Sequence, residues 1–228
     1  MTPPFDVITF DCYGTLIDWE TGISHAMLGA AAADGVRLER AAVLAAYAEL
    51  EPEIEATTFR SYREVLGLTA SAVAERLGWR LDSTRARFLA HSLGDWPPFP
   101  DTNAALEQLH HAGVRLGILS NVDDDLLAAT RRHLTVSFDL IVTAAQVRSY
   151  KPAAGHFHAA RERLGDVRWL HAAQSWFHDV EPAMALGIPA AWINRKGERR
   201  TAGAAPVVEV ATLRQLADWV ASDRGKAP

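Results

Sequence analysis

From residue 102 onward, short apolar, β-branched runs alternate with segments of helical periodicity, and this alternation constrains the fold more than any other feature of the chain. Strands are expected at 114–119, 138–143, 168–173 and 189–193, and helices at 102–112, 124–133, 154–164, 180–186 and 211–221. Strands joined through helices pair in parallel, because a parallel neighbour requires a crossover. The expected class is therefore α/β: a Rossmann-like, doubly wound parallel sheet with helices on both faces.

One strand precedes this array. Val7-Ile8-Thr9-Phe10 stops abruptly at Asp11-Cys12-Tyr13-Gly14-Thr15, as a buried strand does when it delivers a polar loop at its carboxyl end. Residues 20–92 then show helical periodicity and no convincing strand. Three or four helices are expected there, 39–56 and 71–77 among them, with Gly35, Gly67 and Gly78 as turns or caps. Asp95-Trp96-Pro97-Pro98-Phe99-Pro100-Asp101 is a stiff linker, since each proline fixes φ and restricts its predecessor. The chain thus divides into a core domain, 1–17 and 97–228, and a helical cap domain, 18–96, inserted after the first strand. Ligands of an open parallel sheet bind beyond the carboxyl ends of its strands. The insertion leaves from that end, so it is placed to cover a site there and to close over it about two linkers. The tail 222–228 reads as disordered.

The net charge of −5, with no lysine- or arginine-rich run, speaks against a nucleic-acid partner. A single cysteine excludes an internal disulfide framework and a cysteine-based zinc site. No stretch approaches the roughly 20 apolar residues of a membrane span. The first residues, MTPPFDVITFD, lack the basic region of a signal peptide, so the expected location is cytoplasmic.

Four strand-end loops hold nearly all the polar groups suited to chemistry. They are Asp11–Thr15, Ser120-Asn121, Ser149-Tyr150-Lys151-Pro152 and Gln174-Ser175-Trp176-Phe177-His178-Asp179. A parallel sheet brings all four to one edge, where two carboxylates, a lysine, hydroxyls and an amide make a nucleophilic site. Gly14 allows a tight backbone turn above Asp11. Lys151 would keep Asp11 ionised. Lysine stands only at 151, 196 and 226, so its use in this loop suits a need for a compact charge. Taken singly, each feature has a plain alternative. Ser120-Asn121 suits a turn or helix cap, His178 a surface or core histidine, Cys12 simple packing, and Asp123-Asp124-Asp125 helix capping. Trp19, Trp96, Trp176 and Phe177 fall beside the loops and predict an aromatic-lined pocket, or else a packed cap–core interface.

At these loops the sequence resembles the haloacid dehalogenase superfamily, over nearly its whole length. Phe10-Asp11-Cys12-Tyr13-Gly14-Thr15-Leu16 is similar to the first motif, whose leading aspartate is the nucleophile. Leu119-Ser120-Asn121 resembles the second motif, Tyr150-Lys151-Pro152 the third, and the segment ending in Asp179 the fourth. The span between Trp19 and Trp96 resembles the family's helical cap. The resemblance implies that Asp11 attacks, with Lys151 as its electrostatic partner and Thr15 and Ser120 positioning it. It further implies that Ser120 and the backbone around Cys12 and Tyr13 hold a substrate carboxylate, and that Asn121 meets the leaving group. Asp179 would align water or Lys151 for a second step, and Trp19, Trp176 and His178 complete the expected substrate-binding set.

Phosphatases of the superfamily carry a second aspartate two residues after the nucleophile. Tyr13 stands there in this chain, as in the branch that cleaves the carbon–halogen bond of 2-haloacids without a metal. Halide needs no proton to leave, whereas phosphoryl transfer would lose its acid/base and part of its magnesium environment. The resemblance thus implies no cofactor, no metal, a small-molecule carboxylate substrate, and displacement at C2 through an aspartyl ester. A magnesium-dependent small-molecule phosphatase stays open, because Asp11, the Tyr13 carbonyl and Asp179 can hold the ion. A homodimer also stays open.

The chain departs from the dehalogenase pattern in the cap. The arginine that cradles halide and carboxylate there has no counterpart near 45–47, and Phe157 replaces a tyrosine after the third motif. Residues 11–20, Trp96-Pro97 with Phe99-Pro100-Asp101-Thr102, and the His171…His178-Asp179 segment resemble a side branch that includes azetidine-2-carboxylate hydrolase. That branch opens a strained C–N ring by the same hydrolytic logic. An amine leaving group needs a proton, which His178 or Tyr13 could supply.

Overall fold

Val7, Ile8, Thr9 and Phe10 have no exposed surface. They form β1 (Val7–Phe10), the central strand of the computed structural model, which describes residues 3–199 and 204–222. The other strands are β2 (Arg115–Ser120), β3 (Leu140–Thr143), β4 (Trp169–Ala173), β5 (Ala190–Ile193) and β6 (Val208–Val210). All pair in parallel in the order β3-β2-β1-β4-β5-β6, so the expected doubly wound sheet is present. Strand order reverses beside β1, and the crevice beyond the carboxyl ends at such a reversal is where this architecture binds ligands.

Alternation along the strands divides the core. Ile8 and Phe10 join a cluster with Leu106 and Leu109 of α5 (Thr102–His111) and Leu213 and Leu216 of α10 (Leu213–Ala221). On the opposite face, Trp169 and Ala173 of β4 meet Phe157 of α8 (Gly155–Leu164) and Ala183 of α9 (Glu181–Ala185). Each fully buried large side chain of this kind contributes roughly 1.5–3 kcal/mol. α6 (Asp124–Thr130) and α7 (Ala144–Val147) complete the core among the described residues.

Four helices lie between β1 and α5: α1 (Trp19–Ala33), α2 (Arg40–Glu55), α3 (Tyr62–Arg76) and α4 (Phe88–Ser92). The two connections to the core run side by side. Asp18 N–H donates to the Pro97 carbonyl (2.8 Å), Phe99 N–H donates to the Leu16 carbonyl (3.0 Å), and Ile17 bridges Pro98 in antiparallel sense. Trp96 lies flat against Gly22 of α1, where an added Cβ would come within 2.2 Å of the indole.

Most expected elements are found with their ends moved by one or two residues, as α2 and β5 illustrate. Several expectations need correction. The helix expected at 71–77 begins at Tyr62, because Ser61 and Glu64 form a capping box there. Gly67 is consequently inside that helix rather than at a turn. The Asp123 carboxylate caps α3, by accepting from the backbone of Tyr62 and Arg63, instead of its own helix. The helix expected at 124–133 finishes in a 3-10 turn, and a π-turn over Trp176–Val180 precedes α9. The short elements β6 and α7 were not anticipated. Of the tail expected to be disordered, residues 223–228 lie outside the described residues. No helix among the described residues is long and apolar enough to cross a membrane.

Candidate active site

β1 ends at Asp11, whose backbone N–H still donates to the Ala172 carbonyl of β4 (3.2 Å) before the chain turns away. Gly14, at φ +99°, makes that turn. A side chain there would meet Trp19 and Gln174, so the loop closes tightly against both. Its return is fixed by Thr15, whose hydroxyl donates to Asp11 Oδ2 (3.0 Å) and accepts from the Gln174 N–H (2.9 Å). One hydroxyl thereby ties the loop after β1 to the loop after β4.

Lys151 arrives from the loop that follows β3 and α7. The Asn121 amide clamps its backbone, with Lys151 N–H donating to Oδ1 (2.7 Å) and Nδ2 donating to the Lys151 carbonyl (3.0 Å). The ammonium then reaches Asp11 Oδ1 (3.0 Å), the Leu119 carbonyl (2.8 Å) and Asp179 Oδ1. Exposure is 8% for Asp11 and 1% for both Lys151 and Asp179, so three charges share a desolvated space.

One cation between two carboxylates cannot neutralise both, and the geometry decides which is favoured. Asp179 Oδ1 also contacts His171 Nε2 (3.0 Å). Trp169 Nε1 donates to Thr9 Oγ1 (2.7 Å), and the same hydroxyl pairs with His171 Nδ1 (2.9 Å). A carboxylate oxygen only accepts, so His171 Nε2 is the donor toward Asp179. Burial would raise the Asp179 carboxyl, but Lys151 and His171 outweigh it and hold the group at about 2. Asp11 is pushed the other way, by burial first and by the charge of Asp179 second, with Lys151 and Thr15 opposing. Burial tends to lower Lys151, yet its two carboxylate partners keep it raised and cationic. Asp11 is therefore an under-compensated carboxylate of enhanced basicity, a suitable nucleophile.

A cavity of about 250 Å³ opens above Asp11. Asp11, Tyr13, Trp19, Ser120, Asn121, Lys151, His178 and Asp179 from the expected set all line it, as does Trp96. Ser120 Oγ is buried in its wall without a hydrogen-bond partner in the protein. Tyr13 is turned so that its hydroxyl meets Thr130 Oγ1 (2.8 Å), and burial raises its phenol well above the usual range. Desolvation lowers the His178 imidazole below its ordinary value, and its Nδ1 lies 3.2 Å from Ser175 Oγ.

Two members of the expected substrate-binding set, Cys12 and Trp176, stand elsewhere. Cys12 points from the opposite side of the loop into the hydrophobic core, where burial raises its thiol. Trp176 is rotated away by the π-turn and stacks edge-on against Trp192 at 5.1 Å, and Phe177 is 60% exposed. Thr15 is outside the cavity wall and acts through Asp11. Residues not anticipated come chiefly from the cap: Tyr47, Glu51 and Glu55 of α2, and Tyr62 of α3.

The family profile of haloacid dehalogenase-like hydrolases matches residues 5–185. An (S)-2-haloacid dehalogenase of Pseudomonas sp. (strain YL) is 29% identical over 233 residues, covering 96% of this chain and 96% of that enzyme. The (S)-2-haloacid dehalogenase H-109 of Pseudomonas putida is 27% identical over 235 residues, covering 95% and 98%. The fold matches that of the L-2-haloacid dehalogenase from Xanthobacter autotrophicus with a TM-score of 0.83 at 20% identity, over 96% of this chain and 99% of that one. The chain belongs to the haloacid dehalogenase-like hydrolases.

Proposed function

We propose that the enzyme displaces halide from C2 of small 2-haloacids through an ester on Asp11. The observation that carries this reading is the under-compensated Asp11 carboxylate at the floor of a cavity in which Tyr13, its hydroxyl held by Thr130, occupies the place of a second acid. Asp11 attacks C2, the carbon–halogen electrons leave with the halide, and the negative charge of the nucleophile is consumed in the ester. Water then adds to the ester carbonyl, with Asp179 in the same wall to orient it; the acyl–oxygen bond breaks, one water proton leaves on the C2 oxygen of the 2-hydroxy acid, and the other is released to solvent as the Asp11 carboxylate re-forms. Lys151 stays cationic throughout and stabilises the returning carboxylate. Ser120 Oγ is the free donor for the substrate carboxylate. The (S)-2-haloacid dehalogenases among the relatives support halide as the leaving group. The Xanthobacter enzyme, seen with chloropropionic acid covalently bound, supports the ester.

Single turnover in ¹⁸O-water, with enzyme in excess over 2-chloropropionate, tests the ester. The label should enter Asp11 while the first equivalent of 2-hydroxypropionate remains unlabelled. Label appearing first in the product would mean direct attack by water and would overturn the reading.

Ring opening at a C–N bond, as in the branch containing azetidine-2-carboxylate hydrolase, is a second reading supported by one observation. Among the described residues lining the cavity there is no arginine, and the cap contributes Glu51 and Glu55 instead.

A further inference from the structure

We propose that His171 is a positioning residue for hydrolysis of the Asp11 ester: by holding Oδ1 of Asp179, its ring leaves Oδ2 as the oxygen that aligns the attacking water. The inference deepens the reading that an ester forms on Asp11 and rests on it.

His171 lies on β4, paired in register with Thr9 of β1, and has no exposed surface. Residues two apart on a strand share a face, so Trp169 and His171 project the same way beside Thr9. Trp169 Nε1 and His171 Nδ1 both meet Thr9 Oγ1, at 2.7 and 2.9 Å. The Phe157 ring packs edge-on against the imidazole, with 5.2 Å between centroids. The core thus fixes the ring independently of the site. Its neighbours along the strand, Leu170 and Ala172, are apolar and buried. An apolar side chain would pack here without the cost of burying a polar ring, so what distinguishes the imidazole is the bond that its Nε2 makes.

That bond goes to Asp179. His171 Nε2 donates to Oδ1 at 3.0 Å, and the Lys151 ammonium donates to the same oxygen. No donor among the described residues reaches Oδ2, although Asp179 lines the cavity above Asp11. Two donors, one from β4 and one from the loop beyond β3, hold the carboxylate by one oxygen and leave the lone pairs of the other for water. Lys151 alone would not do this. Its ammonium also serves Asp11 and the Leu119 carbonyl, on a flexible stem that would follow the carboxylate as it turned. In the second step the water oxygen bonds to the ester carbonyl carbon while one of its O–H groups donates to Oδ2. As the acyl–oxygen bond breaks, one water proton leaves on the C2 oxygen and the other passes to solvent. His171 gives up no proton. The attack of Asp11 on C2 uses no water, so the first step does not depend on this alignment.

Rapid-quench and steady-state kinetics of His171→Phe with 2-chloropropionate separate the two steps. Slower hydrolysis lowers kcat and KM together and leaves kcat/KM, which reports ester formation, unchanged. The value of kcat should fall about 10–100-fold, with kcat/KM within about threefold of the wild type. Halide should appear in a stoichiometric burst, and the mass of the intact protein should show the accumulated ester. His171→Gln, which keeps an N–H donor, should recover part of kcat. If the Phe variant does not fold, Thr9→Val decides: it removes the hold on Nδ1 and should give the same split in smaller measure. Loss of kcat/KM without a burst, an unchanged kcat, or a Gln variant no better than Phe would overturn the proposal. Absence of halide release by the wild type would overturn the hydrolytic reading and this inference with it. Normal wild-type turnover, with the two steps partitioned alike in wild type and variants, would overturn the inference alone.

Discussion

Asp123 of the core holds the first turn of a cap helix, its carboxylate accepting from the backbone of Tyr62 at 3.0 Å and of Arg63 at 2.9 Å. Tyr62 in turn carries its hydroxyl to Glu51 in the cavity wall. The contact satisfies two otherwise unpaired N–H groups of α3 and fixes where that wall stands relative to Asp11. Replacing Asp123 by Ala should cost about 1 kcal/mol of stability. Because the cap wall loses its tether, KM should rise more than kcat falls, and Asp123→Asn should restore part of both. Thermal unfolding and steady-state kinetics check the pair of effects.

Asp11 is stabilising for the reaction and destabilising for the fold. It competes with Asp179 for one lysine in a largely desolvated position, so its carboxyl is raised above the ordinary carboxylate range. Asp11→Asn should abolish turnover and raise Tm, by about 2–4 °C for each kcal/mol relieved. A calorimetric scan showing a lower Tm would contradict this account of the charge balance.

Lys151→Met should have the opposite consequence. It leaves two carboxylates buried without a cation, a situation that costs about 3–5 kcal/mol when one partner of a buried pair is removed. Urea unfolding should show a marked loss of stability at pH 7 and a smaller one near pH 4, where the carboxyls can accept protons.

Activity should fall on the acid side at a pH above the ordinary carboxylate range. Asp11 must be deprotonated to attack, and its carboxyl is raised, so kcat/KM declines as pH drops through that raised value. Asp179→Asn, by removing a neighbouring negative charge, should move this limb to lower pH even though it reduces the rate. The stability contribution of Asp179 has the reverse sign. Its carboxyl lies at about 2 in the folded protein, against about 3.9 in an unfolded chain. That contribution is complete above about pH 4 and is lost between there and pH 2.

Gly22→Ala should destabilise the protein by about 1–3 kcal/mol, because the new methyl group has no room beside Trp96. Chemical unfolding of this variant measures how firmly the second linker is seated on the first cap helix.

The acid–base floor of the site was legible because Asp11, Lys151 and Asp179 follow strands whose apolar runs are readable, and parallel strands bring their ends together. Thr15 was legible for the same reason. Trp176 was misplaced because a π-turn changes the angle between successive side chains, and local sequence gives no sign of it. Glu51 and Glu55 were missed for a different reason. Acids spaced along an alanine-rich helix read as its solvated face, and only the docking of α2 over the carboxyl end of β1 turns that face inward. The three residues of β6 are too few to show a period. Gly67 illustrates that a glycine alone does not end a helix when Ser61 and Glu64 have already begun it.

The paired connections at Asp18–Pro97 and Leu16–Phe99 make the whole helical insertion hang from a single two-stranded stem. Its two chain ends are neighbours, so an insertion of different length or shape could replace it without altering the register of β1 with β2 and β4. The nucleophile and the roof over it are thus separable units of inheritance: exchange at the stem would give a descendant a new ligand preference while it kept Asp11, Lys151 and Asp179 in place.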